Sequence, residues 1–131
     1  MGQRVSRGVL DTSVLIADDV APLPGELAIS AASLAELHFG VLVAVDDEAR
    51  ASRLSRLSAV QRRFDPLPVD DLVAESYGLL AARVGRSGRQ PRARVMDLLI
   101  AATAHAHGAT LYTRNGDDLR GLDDLLDVEV I

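Results

Sequence analysis

Apolar and polar positions run along the chain in blocks that switch between a strand-like and a helix-like period. Val9 and Leu10 form a short apolar run ending at Asp11-Thr12-Ser13, and Val14, Leu15, Ile16 and Ala17 then resume it. This predicts a buried strand followed by a helix capped by Thr12 or Ser13. Pro22, Pro24 and Gly25 break the chain, and Leu27 to Ser30 reads as a second short strand. A helix is expected over about Ala32 to Ala44, with Leu34, Leu37, Val41 and Leu42 at helical spacing. Between Asp46 and Phe64, Leu54, Leu57 and Phe64 sit among Arg50, Arg53, Arg56, Arg62 and Arg63, the pattern of a surface amphipathic helix. Asp65-Pro66-Leu67-Pro68 stops it.

Asp70 or Asp71 is expected to cap a further helix running through Val84, with Leu72, Tyr77 and Leu80 on its buried side, and Gly85 to Pro91 reads as a polar loop. Val95 to Ala104 is apolar nearly all round, which places that helix in the core, and Gly108 is suited to a left-handed stop after it. Thr110 to Thr113 resembles a strand, Asn115-Gly116 a turn, and Val128 to Ile131 a final edge strand. Strands alternating with helices imply an α/β fold: a central, mostly parallel sheet flanked by helices on both faces. With 131 residues and no linker or repeat, one domain over residues 1–131 is expected.

Composition narrows the chemistry. There is no cysteine, which excludes disulfides, thiolate zinc sites and cysteine nucleophiles. All 14 basic residues are arginine, so no lysine is present to serve as a Walker-type phosphate ligand or a Schiff base. The first eight residues run into too short an apolar stretch for a secretory signal, and no run approaches the roughly 20 apolar residues of a membrane span. A cytoplasmic protein without a membrane association is expected. The net charge of -5 argues against broad coating of nucleic acid, but carboxylates clustered around a cation leave room for a nucleic-acid enzyme.

Four acidic segments carry candidate chemistry. Asp97 lies among Val95, Met96, Leu98, Leu99 and Ile100, where a carboxylate needs compensation by an arginine such as Arg94, by the helix N-terminus or by a metal. Asp11 ends the first strand, where open α/β sheets place ligands, although a helix N-cap explains it too. Glu36 follows Ser33 at the spacing of a capping box, and on its own that cap is the favoured reading. The segment Thr113-Arg114-Asn115-Gly116-Asp117-Asp118-Leu119 is ordinary turn chemistry when taken alone.

Taken together and in order, Leu10-Asp11-Thr12-Ser13-Val14-Leu15-Ile16, Ser33-Leu34-Ala35-Glu36-Leu37 with Gly40, Asp97-Leu98-Leu99-Ile100-Ala101-Ala102-Thr103-Ala104 and the last turn resemble a PIN-domain ribonuclease of the VapC toxin type. The motifs span nearly the whole chain. The resemblance implies a pocket in which Asp11, Glu36, Asp97 and Asp118 are catalytic and hold Mg2+ or Mn2+, with Thr12, Ser13, Thr113, Asn115 and Asp117 in support. The neighbouring Asp117 leaves the fourth acid open, and Leu119 departs from the phenylalanine usual in the family. It further implies cleavage of structured RNA such as tRNA or rRNA, a cognate VapB-type antitoxin that blocks the groove, and a homodimer.

The residue types agree with this independently. Oxygen ligands suit Mg2+ or Mn2+, whereas zinc favours histidine or cysteine. Phosphodiester hydrolysis of this kind, leaving 5'-phosphate and 3'-hydroxyl ends, needs no histidine. His38, His105 and His107 are read as solvated or helix-end residues. Arg86, Arg89, Arg92 and Arg94, with Arg83, form either a phosphate-contacting rim or a solvated loop. The rival readings are a catalytically inactive PIN-like module that binds RNA or protein, and a haloacid-dehalogenase-like or receiver-like phosphotransfer domain. The second is weakened by the missing lysine and by the lack of an acid two residues after Asp11.

Overall fold

The computed structural model describes residues 6–131, with the side chains of Arg92, Ala93 and Asp118 outside the described set. Among the described residues a four-stranded sheet runs in the order β2-β1-β3-β4, where β1 is Arg7–Leu10, β2 Glu26–Ala28, β3 Thr110–Thr113 and β4 Val128–Val130. Every pairing is parallel, with Leu10 opposite Tyr112 and Val9 opposite Leu111. Parallel neighbours require crossovers, and helices supply them: α1 Thr12–Leu15, α2 Ala31–Leu42, α3 Asp47–Arg63, α4 Asp71–Arg86 and α5 Val95–Ala106.

Because side chains alternate across a strand, each central strand serves two cores. Val9 and Leu111 join α4 and α5 on one face, packing with Val73, Leu80, Val84, Leu98 and Ile100. Leu10 and Tyr112 join α2 and α3 on the other, with Ile29, Leu37, Leu57 and Val60. Burying both faces explains why β1 and β3 read as continuous apolar runs rather than as alternating ones. The second core includes one close approach. A Cβ at Gly8 would lie 2.5 Å from the Tyr112 ring, so glycine there makes room for that ring at the sheet centre.

The helix ends follow local chemistry. Asp46 accepts from Ala49 N at 2.7 Å and Asp70 from Val73 N at 3.1 Å, each capping a helix of 16 or more residues. The α5 helix is buried nearly all round, and Gly108 turns the chain after it with φ +61°.

Several sequence expectations are corrected. Leu72 is 64% exposed, and Val73, Ser76, Leu80 and Val84 form the buried stripe of α4, because a 3.6-residue period counted from Leu80 reaches 73 and 76 rather than 72. On α3 the stripe is Leu57 and Val60, while Leu54 is half exposed. The α4 helix continues past Gly85 to Arg86, so the expected loop is shorter. His105 is a helix-end residue in the last turn of α5, and it is tied in rather than solvated: its Nδ1 lies 2.8 Å from the Ser76 hydroxyl between α4 and α5. Ser30, three residues ahead of Ser33, caps α2 by accepting from Ala32 N at 3.1 Å, so the Ser33–Glu36 capping box does not form.

Candidate active site

The carboxyl ends of β1 and β3 lie side by side, so the residues that follow them converge. Asp11 leaves β1 through its N–H bond to Tyr112 O (2.9 Å) and is 8% exposed. It occupies the N-cap position of α1 without its side chain capping that helix. Its Oδ2 instead accepts from the Ser13 hydroxyl at 2.7 Å and from the Thr113 hydroxyl at 2.8 Å. Each hydroxyl is oriented from behind: Arg114 N donates to Ser13 Oγ and Asn115 N to Thr113 Oγ1, both at 3.0 Å. Two amides of the turn after β3 thus fix two hydroxyls, which fix one carboxylate oxygen. Among the described residues no donor reaches Oδ1.

Asp97 stands half-buried in the first turn of α5 and lines one small hollow with Asp11, Leu111, Thr113, Asn115 and Leu119. The hollow measures about 10 Å³, room for about one water-sized particle. Glu36, from the second turn of α2, approaches through Thr12: its Oε1 accepts from the Thr12 hydroxyl at 2.7 Å, and that hydroxyl lies 3.0 Å from Ser33 Oγ. Glu36 itself does not line the hollow. Asp117 lines a separate, wider groove with Arg114, Asp123 and Val130. The Asp118 side chain, expected as the fourth acid, lies outside the described residues.

Among the described residues no three acidic or imidazole side chains stand together as a preformed metal cage. A hard cation does not require one. Mg2+ commonly binds through one or two carboxylates and keeps several waters. Asp11, Asp97, Thr113 and Asn115 offer only oxygen-rich side chains around a water-sized space, and that donor set fits such an ion.

The arginines before α5 divide. Arg86 is exposed at the end of α4, and Arg94 is half-buried. Arg83 donates to Asp124 at 2.7 Å, which holds the Asp124 carboxyl below its usual range. Arg89 reaches backbone carbonyls of the last turn, at Asp117 O (2.8 Å) and Arg120 O (3.2 Å). The Arg92 side chain lies outside the described residues. Two further ties were invisible to sequence reasoning: Arg114 to Asp19 at 2.7 Å and Arg56 to Asp18 at 3.2 Å, which link the loop after α1 to the last turn and to α3. Ser33, taken as a cap, belongs to the Thr12–Glu36 pair, and no local signal marks it.

A parallel sheet with oriented carboxylates at its carboxyl edge is the arrangement of an α/β enzyme. Residues 8–125 match the PIN domain family. The chain is 39% identical to ribonuclease VapC5 of Mycobacterium tuberculosis over 137 aligned residues, covering 100% of this chain and 98% of that protein. Ribonuclease VapC4 of the same organism is 37% identical, with 97% of each covered. A crystal structure of a VapBC family member, VapBC-5 from Mycobacterium tuberculosis, superposes with a TM-score of 0.82 at 41% identity, covering 96% of this chain and 98% of that one. The chain belongs to the PIN domain family, in its branch of VapC ribonucleases. A haloacid-dehalogenase-like or receiver-like domain is thereby set aside, and the enzymatic kin speak against an inert scaffold.

Proposed function

We propose that this chain is an endoribonuclease dependent on Mg2+ or Mn2+ that hydrolyses phosphodiester bonds in structured RNA, tRNA or rRNA. It acts as the toxin of a type II toxin–antitoxin pair and is held inactive by a cognate VapB-type antitoxin. The observation that carries the catalytic reading is Asp11: one carboxylate oxygen is held by two backbone-oriented hydroxyls, the other meets no donor among the described residues, and the group shares a water-sized hollow with Asp97. The kinship with a VapBC complex supports the antitoxin. Phe39, Leu42 and Val45, exposed at and just beyond the end of α2, are apolar surface of the kind that homodimers cover.

Asp11 and Asp97 would hold the ion directly, with Glu36 and Asp118 as the further acids of the site. When bound, such an ion lowers the pKa of a water, orients it for in-line attack and offsets charge on the leaving oxygen. The protein's own contribution is preorganisation. Ser13 and Thr113 keep Asp11 from rotating, so the site requires little rearrangement as charge develops. Thr12 holds Glu36 toward the same edge of the sheet. Exposed Arg86, at the end of α4, offers a phosphate contact.

The test is incubation of the purified chain with total RNA and Mg2+ or Mn2+, beside EDTA and Asp97→Asn arms, followed by mapping of the ends. Cleavage leaving 5'-phosphate and 3'-hydroxyl ends is expected, at least about 100-fold slower in both control arms. Cleavage that persists in both arms rejects the metal mechanism.

A further inference from the structure

The last turn, which carries Asp117 and Asp118, has no helix or strand of its own to hold it. It is a single 3-10 turn, Gly116–Leu119, between β3 and a looping return to β4. Its inner side is anchored by burial of Leu119, Leu122 and Leu126. Among the described residues, Arg89 from beyond α4 grips its outer side. Arg89 donates from Nη2 to Asp117 O at 2.8 Å and from Nη1 to Arg120 O at 3.2 Å, so one guanidinium spans both ends of the turn.

Arg89 is itself aimed by the end of α4. Gly88 adopts φ +84°, Gly88 N donates to Gly85 O at 3.1 Å and Arg89 N to Val84 O at 3.3 Å, the paired bonds of a glycine-terminated helix. Arg83, a turn and a half earlier, reaches the same return loop at Asp124 and at Gly121 O. The end of α4 therefore grips the loop at successive points.

We infer that Arg89 is a positioning residue: its planar fork clamps the carbonyls of Asp117 and Arg120 and so sets the acid-bearing turn against the Asp11–Asp97 hollow. This replaces the sequence-based reading of Arg89 as a phosphate contact, and it rests on the reading of that turn as part of a metal site. The geometry requires arginine. A lysine ammonium carries the same charge but cannot present two coplanar donors to two carbonyls. Charge alone and the fork are therefore separable by one conservative substitution.

The experiment compares the full wild-type chain with Arg89→Lys and Arg89→Ala in three measurements. These are Mn2+ affinity by spin-resonance titration without RNA, amide hydrogen exchange across residues 117–121, and steady-state RNA cleavage resolved into kcat and KM. Both variants are expected to weaken Mn2+ binding about tenfold or more, the range for residues that orient metal ligands. Exchange in the turn should quicken while α5 amides stay protected, and kcat should fall with KM unchanged. Arg89→Lys with wild-type Mn2+ affinity and wild-type exchange overturns the inference, as does a loss confined to KM and to the salt dependence of RNA binding. A wild-type chain that binds no Mn2+ sinks the metal-site reading instead. The exchange data then decide the clamp by themselves: faster in both variants upholds it, unchanged refutes it.

Discussion

Hydroxyl-bearing residues decide the state of the acids at this site. A serine or threonine hydroxyl has one proton to give and two lone pairs to accept with. Ser13 and Thr113 each accept from a backbone amide and donate to Asp11, so their orientation is determined by the chain path rather than by solvent. Thr12 gives its one proton to Glu36, since an ionised carboxylate can only accept. Thr12→Val keeps the side-chain shape and removes that proton. The expected outcome is a 10- to 100-fold fall in RNA cleavage, about the range for residues that orient catalytic carboxylates, with an unchanged melting temperature. A thermal melt run beside the cleavage assay checks it. Wild-type cleavage in Thr12→Val would remove Glu36 from the site.

Secondary-structure elements place these residues, and their own stability rests on caps and stripes that sequence reasoning reached to different extents. The expected boundaries of β3 match the structure residue for residue, because Thr110 to Thr113 is a short β-prone run between a glycine stop and a turn. The start of α2, expected at about Ala32, falls at Ala31, but its cap is Ser30 rather than the Ser33 of a capping box. Ser30 and Ser33 are both good caps, and only the pairing of β2 with β1 and the buried setting of Ser30 determine which is used. Asp70 was one of two adjacent candidates, and the structure selects it over Asp71. Asp70→Ala should therefore cost about 1 kcal/mol of global stability, measured by urea denaturation, whereas Asp71→Ala should cost much less. Equal losses would contradict the observed cap.

At the scale of the whole molecule, the two cores meet at the sheet, and Tyr112 is the residue through which pH acts on it. Burial, and behind it the nearby carboxylates of Glu129 and Asp127, pushes the Tyr112 phenol above its ordinary value. A group whose folded pKa is raised contributes stability that is complete below its unfolded pKa and is lost as pH rises through the folded one. The window thus opens at about pH 10 and extends upward. Unfolding midpoints in urea should fall across that range, and Tyr112→Phe should flatten the fall. An identical alkaline decline in Tyr112→Phe would assign the effect to other groups.

The sequence by itself determined the alternation of strands and helices and the burial of α5, because these depend on periods along a single chain, and the resemblance of its four ordered motifs pointed to the family. It also marked Asp11 and Asp97, since a carboxylate at a strand end or inside an apolar helix is locally anomalous. Only the tertiary structure decided that Asp11 is held by Ser13 and Thr113, that Glu36 answers to Thr12, and that Arg89 grips the last turn. Those bonds join residues up to 102 positions apart, and a hydrogen bond depends on distance and direction in space, which residue order does not encode.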